Sequence, residues 1–145
     1  MKPWTERRDA TQVGSACPQL GAPDYARVSE DCLTLNVWVP PSGATKKPVM
    51  VWITGGAFAQ GSGGYLLYDG ARLAAREDVI VVTMNYRIGA LGFMAHPDLA
   101  REVGHDASPS YGLLDQRAGL SWVQRNIAAK TFEKANAVSD KHWQD

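Results

Sequence analysis

The sequence predicts an α/β protein with a mainly parallel sheet. Two continuous apolar runs of strand length carry that prediction: Val49-Met50-Val51-Trp52-Ile53 and Val79-Ile80-Val81-Val82-Thr83-Met84. Strands covered by helices on both faces lose the apolar–polar alternation and read as such runs. One helical pattern lies between the two runs and another follows them, and this alternation is the mark of the class. With one further strand near the start, three strands and two helices make a thin, incomplete sheet.

Residues 1–30 are rich in Pro, Gly, Asp and Ser without a period and read as surface loop. Leu33-Thr34-Leu35-Asn36-Val37-Trp38-Val39 alternates at first and stops at Pro40-Pro41, which cannot continue a ladder. A turn over Pro41–Pro48 leads to the first apolar run, expected to be buried on both faces. A glycine-rich loop, Gly55 to Gly64, follows it, and a short helix is expected over Gly70–Glu77. The second run leads into Asn85-Tyr86-Arg87, and residues 88–110 read as loop with short turns. From Gly112 to Ala129, Leu113, Leu120, Val123 and Ile127 share one helical face, with Leu114 and Trp122 beside it. Ser110 is the expected N-cap. Residues 130–145 form a polar, weakly patterned tail, so the chain divides into 1–129 and 130–145.

Length and composition narrow the function classes. A chain of 145 residues with 45% hydrophobic and 21% charged residues fits one globular domain. Fifteen basic and fifteen acidic residues cancel, which leaves no basic face for nucleic acid. No apolar run is long enough to span a membrane. The opening Met1–Asp9 lacks the apolar core of a signal peptide, and localisation stays open. Cys17 and Cys32 fit two readings. As a pair they would close a loop of roughly 15 residues, worth about 3 kcal/mol by chain entropy; otherwise they are reduced, partly buried thiols.

The glycine loop has three readings. As a phosphate cradle, Gly56 to Gly61 has the right spacing and Ser62 follows, but the lysine that holds the phosphates is missing. It also reads as a structural turn. The third reading is an oxyanion hole, where glycines let backbone N–H groups approach a developing negative charge.

Several motifs then occur in one order. Ser29-Glu30-Asp31-Cys32-Leu33-Thr34-Leu35-Asn36-Val37 resembles the S-E-D-C-L-x-L-N-V signature of type-B carboxylesterases, the cholinesterase-like branch of the α/β-hydrolases. Val51-Trp52-Ile53-Thr54-Gly55-Gly56-Ala57-Phe58 is similar to the family's V-W-I-H-G-G-A-F, and Asn85 to Phe93 to its N-Y-R-x-G-x-L-G-F. Tyr111-Gly112-Leu113-Leu114-Asp115-Gln116, Trp122-Val123 and Asn126-Ile127-Ala128 resemble the segment that leads to the nucleophile. Asp9-Ala10-Thr11 and Cys17-Pro18-Gln19 fit an earlier loop, so the resemblance covers residues 4–129. It implies the N-terminal strands and helices of an incomplete α/β-hydrolase sheet, in a serine esterase that takes a carboxylic ester and needs no cofactor or metal. It also implies oxyanion donors at Gly56 and Ala57 with Gly55 in support, a Cys17–Cys32 disulfide, and a structural ion pair between Arg87 and Asp115. Glu30 would lack its family partner, an arginine upstream of Met1.

The departures decide what the chain is expected to do. Thr54 replaces the family's histidine beside the oxyanion loop, and Pro109-Ser110 replaces Gly-Asn. No G-x-S-x-G elbow occurs; Ser108-Pro109-Ser110-Tyr111-Gly112 comes closest, but no buried strand precedes it. Ser62 lies within the oxyanion segment, and His96, His105 and His142 have no ligand or triad spacing and read as surface residues. The nucleophile, acid and base are therefore not expected among these residues. The rival readings are a non-catalytic cholinesterase-like binding module, which a partner pull-down would reveal, and a truncated product without a role. The strand Val49–Ile53 would border the nucleophile strand of the family, so it is expected to be an open edge prone to self-association. The 145-residue polypeptide should not hydrolyse p-nitrophenyl esters above a matched protein blank, because an oxyanion hole alone has no covalent route. Turnover blocked by a serine-directed phosphonate would overturn this.

Overall fold

The structure, a computed structural model, describes residues 10–43, 45–102, 110–128 and 140–141. The expectations for Met1–Asp9, His105, Ser108, Pro109, Ala129, His142 and nearly all of the 130–145 tail lie outside these residues. Strands β1 (Thr34–Trp38), β2 (Val49–Ile53), β3 (Ile80–Met84) and β4 (Asp140–Lys141) form a sheet in the order β2-β3-β1-β4. Only β2 and β3 are parallel; β1 runs antiparallel to β3, and β4 antiparallel to β1. The expectation of a mainly parallel sheet is thus corrected. Parallel neighbours need a long crossover, and the chain supplies one between β2 and β3, through a 3₁₀ turn (Leu66–Tyr68) and helix α1 (Ala71–Glu77).

The register brings three chain segments to one end of the sheet. Ile53 pairs with Met84, and Met84 pairs with Leu35. The segments after Ile53, after Met84 and before Thr34 therefore meet there. Ligands of open α/β sheets bind outside the carboxyl ends of the strands, and this is the carboxyl end of β2 and β3.

Both faces of β3 are covered. Helix α4 (Tyr111–Asn126) places Val123 with Leu35, Val37, Ile80, Val82 and Met84 on one face. Helix α1 packs Ala74 against Trp38 and Val81 on the other. Strand β2 differs from the sequence expectation of burial on both faces. It is the sheet's outer strand, and Val49, Met50, Trp52 and Ile53 are 36–43% exposed. A run of apolar residues reports what a strand can bury, and its neighbours decide what it does bury.

Two further expectations are corrected. The stretch read as loop over 88–110 contains helices α2 (Gly89–Phe93) and α3 (Pro97–Glu102). Pro97 is the first residue of α3, where its missing N–H costs nothing. Of the apolar face expected for α4, Val123, Ile127 and Trp122 pack against the core, but Leu113, Leu114 and Leu120 are exposed, and Gly112, Asp115 and Gly119 are buried in their stead. Glycine explains the choice: a Cβ on Gly112 would lie 2.4 Å from the Arg87 carbonyl and 2.6 Å from the Phe93 ring. Close approach at this point admits only a residue without a side chain. Ser110 does stand at the N-cap of α4, but its side chain makes no cap bond; its carbonyl accepts from Leu113 and Leu114 N–H instead.

Strand β2 has apolar side chains and, among the described residues, one unpaired backbone edge, and such a strand is a template for another chain. Sedimentation velocity should show concentration-dependent association of the polypeptide. The double substitution Met50→Lys, Trp52→Lys should shift it toward monomer, because both residues are exposed and charges on an edge block pairing.

Candidate active site

The glycine loop leaves β2 at the sheet end just described. Thr54, its first residue, is buried, and its carbonyl accepts the Tyr86 hydroxyl at 2.9 Å. Burial pushes the Tyr86 phenol above its ordinary pKa, so it remains a neutral donor. Then the backbone turns left-handed: Gly56 has φ 120°, Ala57 φ 52° and Phe58 φ 60°. Gly56 admits no other residue, since a Cβ there would lie 2.0 Å from the Gln60 carbonyl oxygen. Ala57 and Phe58 adopt this region at a cost that L-residues rarely accept outside functional segments.

The surroundings hold them in place. The Gly56 carbonyl accepts N–H groups from Ala59 (3.0 Å) and Gln60 (3.2 Å), closing the turn. The Phe58 carbonyl accepts Gly89 N–H at 2.6 Å, and its ring contacts Tyr86 and Phe93. The N–H groups of Gly56 and Ala57 donate to no acceptor among the described residues, and Ala57 is exposed. Successive N–H groups in such turns make a concavity that suits an anionic oxygen.

The remaining candidates are placed as follows. Cys17 and Cys32 form a disulfide with Cα atoms 4.9 Å apart, packed against Tyr86 and Ile88. Asp115, fully buried on α4, takes Arg87 in a two-pronged pair, Nε to Oδ2 at 2.8 Å and Nη2 to Oδ1 at 2.7 Å. The Arg87 backbone N–H also reaches Oδ2 at 2.9 Å, and the guanidinium lies 4.8 Å from the Tyr111 ring centroid. The hydrogen bonds to Asp115 push the Arg87 pKa up, so the guanidinium stays charged. This pair joins the end of β3 to α4 and stands apart from the glycine loop.

Ser62 is not available as a nucleophile. It is buried, donates to Asn85 Oδ1 at 3.0 Å and accepts Gly64 N–H at 3.2 Å. His96 is exposed and caps α3, its Nδ1 accepting Asp98 N–H at 3.2 Å and its carbonyl accepting Ala100 N–H. The Glu30 side chain is exposed and forms no ion pair among the described residues. No group of metal-ligating side chains occurs among them, and no helix is long and apolar enough to cross a membrane.

A sequence profile described as the carboxylesterase family matches residues 1–130. The chain belongs to the carboxylesterase family. The para-nitrobenzyl esterase of Bacillus subtilis (strain 168) is 48% identical over 132 residues, which are 87% of this chain and 26% of that protein. The mouse (Mus musculus) cholinesterase is 45% identical over 138 residues, covering 87% of this chain and 22% of its own. A solved structure of PNB esterase superposes with a TM-score of 0.69 at 49% identity, over 80% of this chain and 23% of that one. The chain thus spans about a quarter of the length of these family members, and its sheet is part of an α/β-hydrolase sheet.

Two residues matter here that the motifs contained without explaining. Asn85 donates through Nδ2 to the Ser15 carbonyl (2.9 Å) and the Cys32 carbonyl (2.8 Å). Its Oδ1 accepts Ser62 Oγ (3.0 Å) and Gly63 N–H (2.8 Å). Gln19 contacts Gly61 in a similar two-way fashion. Spacing along the chain signals neither, because every one of these partners but the Cys17 carbonyl, two residues from Gln19, is more than forty positions away or otherwise non-local. Asn85→Ala should destabilise the fold by about 3 kcal/mol, since it takes the acceptor from the buried Gly63 N–H and Ser62 hydroxyl and the donor from the Ser15 carbonyl. Urea denaturation followed by tryptophan fluorescence measures it, and a loss too small to shift the midpoint would refute the hub role.

Proposed function

We propose that the chain carries the oxyanion-stabilising part of a serine carboxylesterase, which cleaves a carboxylic ester through an acyl-enzyme. In this reading the N–H groups of Gly56 and Ala57 point at the oxygen that becomes negative in the tetrahedral intermediate, with Gly55 giving the loop room to turn. The observation that carries it is the pair of adjacent N–H groups without acceptors in a left-handed loop at the carboxyl end of β2. Such donors stabilise the transition state more than the ground state, so they raise kcat. The nucleophile, general acid and general base of the reaction are not among these 145 residues. The 1–129 segment contributes the donors and the framework that aims them.

The test is a chimera in which residues 4–129 replace the matching segment of an active family member such as the para-nitrobenzyl esterase. Proline at position 57 is unsuited as a probe, because its ring fixes φ near about −65° while Ala57 sits at φ 52°. Replacing the Ala57 amide by an ester, with the α-hydroxy analogue of alanine, removes the N–H and leaves the side chain and φ. The expected result is a fall in kcat of about 10²–10³, the usual cost of one lost oxyanion donor, with KM little changed. Ala57→Gly retains the N–H, tolerates the positive φ, and should keep most activity. An ester-substituted enzyme within about threefold of the parent, well short of the donor-loss range, returns the loop to the structural-turn reading.

A further inference from the structure

We propose that Gln19 is a positioning residue for the oxyanion loop, an inference that rests on the reading of Gly56 and Ala57 given above. Its carboxamide meets the backbone of Gly61 with both of its ends. Gly61 N–H donates to Gln19 Oε1 at 2.7 Å, and Gln19 Nε2 donates to the Gly61 carbonyl at 3.1 Å. An amide that satisfies both the donor and the acceptor of one residue fixes that residue's peptide planes as a neighbouring strand would.

The amide itself is held on two sides. Nε2 also donates to the Cys17 carbonyl at 3.0 Å, and Oε1 accepts the Tyr65 hydroxyl at 3.0 Å. Cys17 is tied to Cys32, and Cys32 to Asn85, so the clamp is referred back to the end of β1 and β3. Gly61 in turn controls the oxyanion turn from its far side. It has φ 120°, and a Cβ on it would lie 2.6 Å from the Gly55 carbonyl oxygen. The two ends of the turn, Gly55 and Gly61, are thus in contact, and Gln19 grips the Gly61 end, two residues before the point where Thr83 of β3 holds the Gly63 carbonyl. Displacement of Gly61 would carry the Gly55–Gly56 peptide with it, and a small misalignment of the donors costs transition-state binding before it costs substrate binding.

Gln19→Leu removes all four hydrogen bonds while keeping nearly the same volume. Gln19→Glu retains the acceptor for Gly61 N–H and Tyr65 but loses both donors to carbonyls. Hydrogen exchange at the Gly61 amide, resolved by electron-transfer fragmentation in the full chain and in the chimera, should accelerate about tenfold in Gln19→Leu, the size expected for the loss of one or two net hydrogen bonds. In the chimera kcat should fall by about tenfold with KM and melting temperature nearly unchanged, and Gln19→Glu should recover part of both effects. Should Gln19→Leu not fold, Gln19→Glu and Tyr65→Phe still report, each with a smaller loss of Gly61 protection and of kcat. Unchanged Gly61 exchange in the variants overturns the clamp. A kcat that falls on ester substitution at Ala57 but not in the Gln19 variants overturns this proposal alone, whereas a silent ester substitution overturns it together with the oxyanion reading.

Discussion

The side-chain amide of Asn85 sits where the ends of β1, β2 and β3 come together, and it is saturated: two N–H groups given, one hydroxyl and one N–H received. A buried amide in this condition is specific in a way that apolar packing is not. Each partner fixes a direction as well as a distance, and any alternative arrangement leaves a polar group unpaired in a medium that penalises it. Its backbone adds a fifth tie, from Asn85 N–H to the Thr34 carbonyl at 2.9 Å. Through these bonds the disulfide loop, the start of β1 and the end of the glycine loop take their positions from the residue that follows the central strand β3.

The polar layer around this amide explains how a loop can hold an unfavourable backbone. Ala57 and Phe58 are left-handed without being glycine, and the N–H groups of Gly56 and Ala57 have no partner among the described residues. Left alone, that segment would relax to a commoner turn. It is bracketed by Thr54, whose carbonyl Tyr86 holds, and by Gly63, whose N–H and carbonyl are taken by Asn85 and Thr83. Between the brackets, the Phe58 ring rests on Tyr86 and Phe93. Strain in the middle is maintained by saturation at both ends.

The sequence made the strands, the long helix and the turn at Pro40-Pro41 readable, since each depends on local composition. What it did not reveal depends on neighbours. Val49–Ile53 has the residues of an interior strand, yet sheet order comes from pairings across the chain, and β2 has β3 on one side only among the described residues. A hydrophobic pattern scores the leucines of α4, which are exposed, while Gly112 makes its contact by lacking a side chain. Helices α2 and α3 are too short to show a period among the glycines and prolines that surround them. Of the candidate site, the glycines and the cysteines were legible as types, and the family resemblance supplied their roles. Gln19 and Asn85 were visible only as letters in a motif, because a hydrogen-bonding side chain announces its partner by position in space.

The distances along the chain between these partners also set an order of events during synthesis. The Cys17–Cys32 loop is made early, but the carboxamide that donates to the Ser15 and Cys32 carbonyls lies 70 and 53 residues further on. Until β3 has been made and has paired with β1, that early segment has nowhere to dock, and non-local contacts of this kind form late because their loop-closure entropy must be met first. A nascent chain therefore carries its glycine loop and its two thiols unanchored while the sheet is assembled. The interval in which an oxidant or a wrong partner can reach Cys17 and Cys32 is set by how fast the ribosome reaches Asn85.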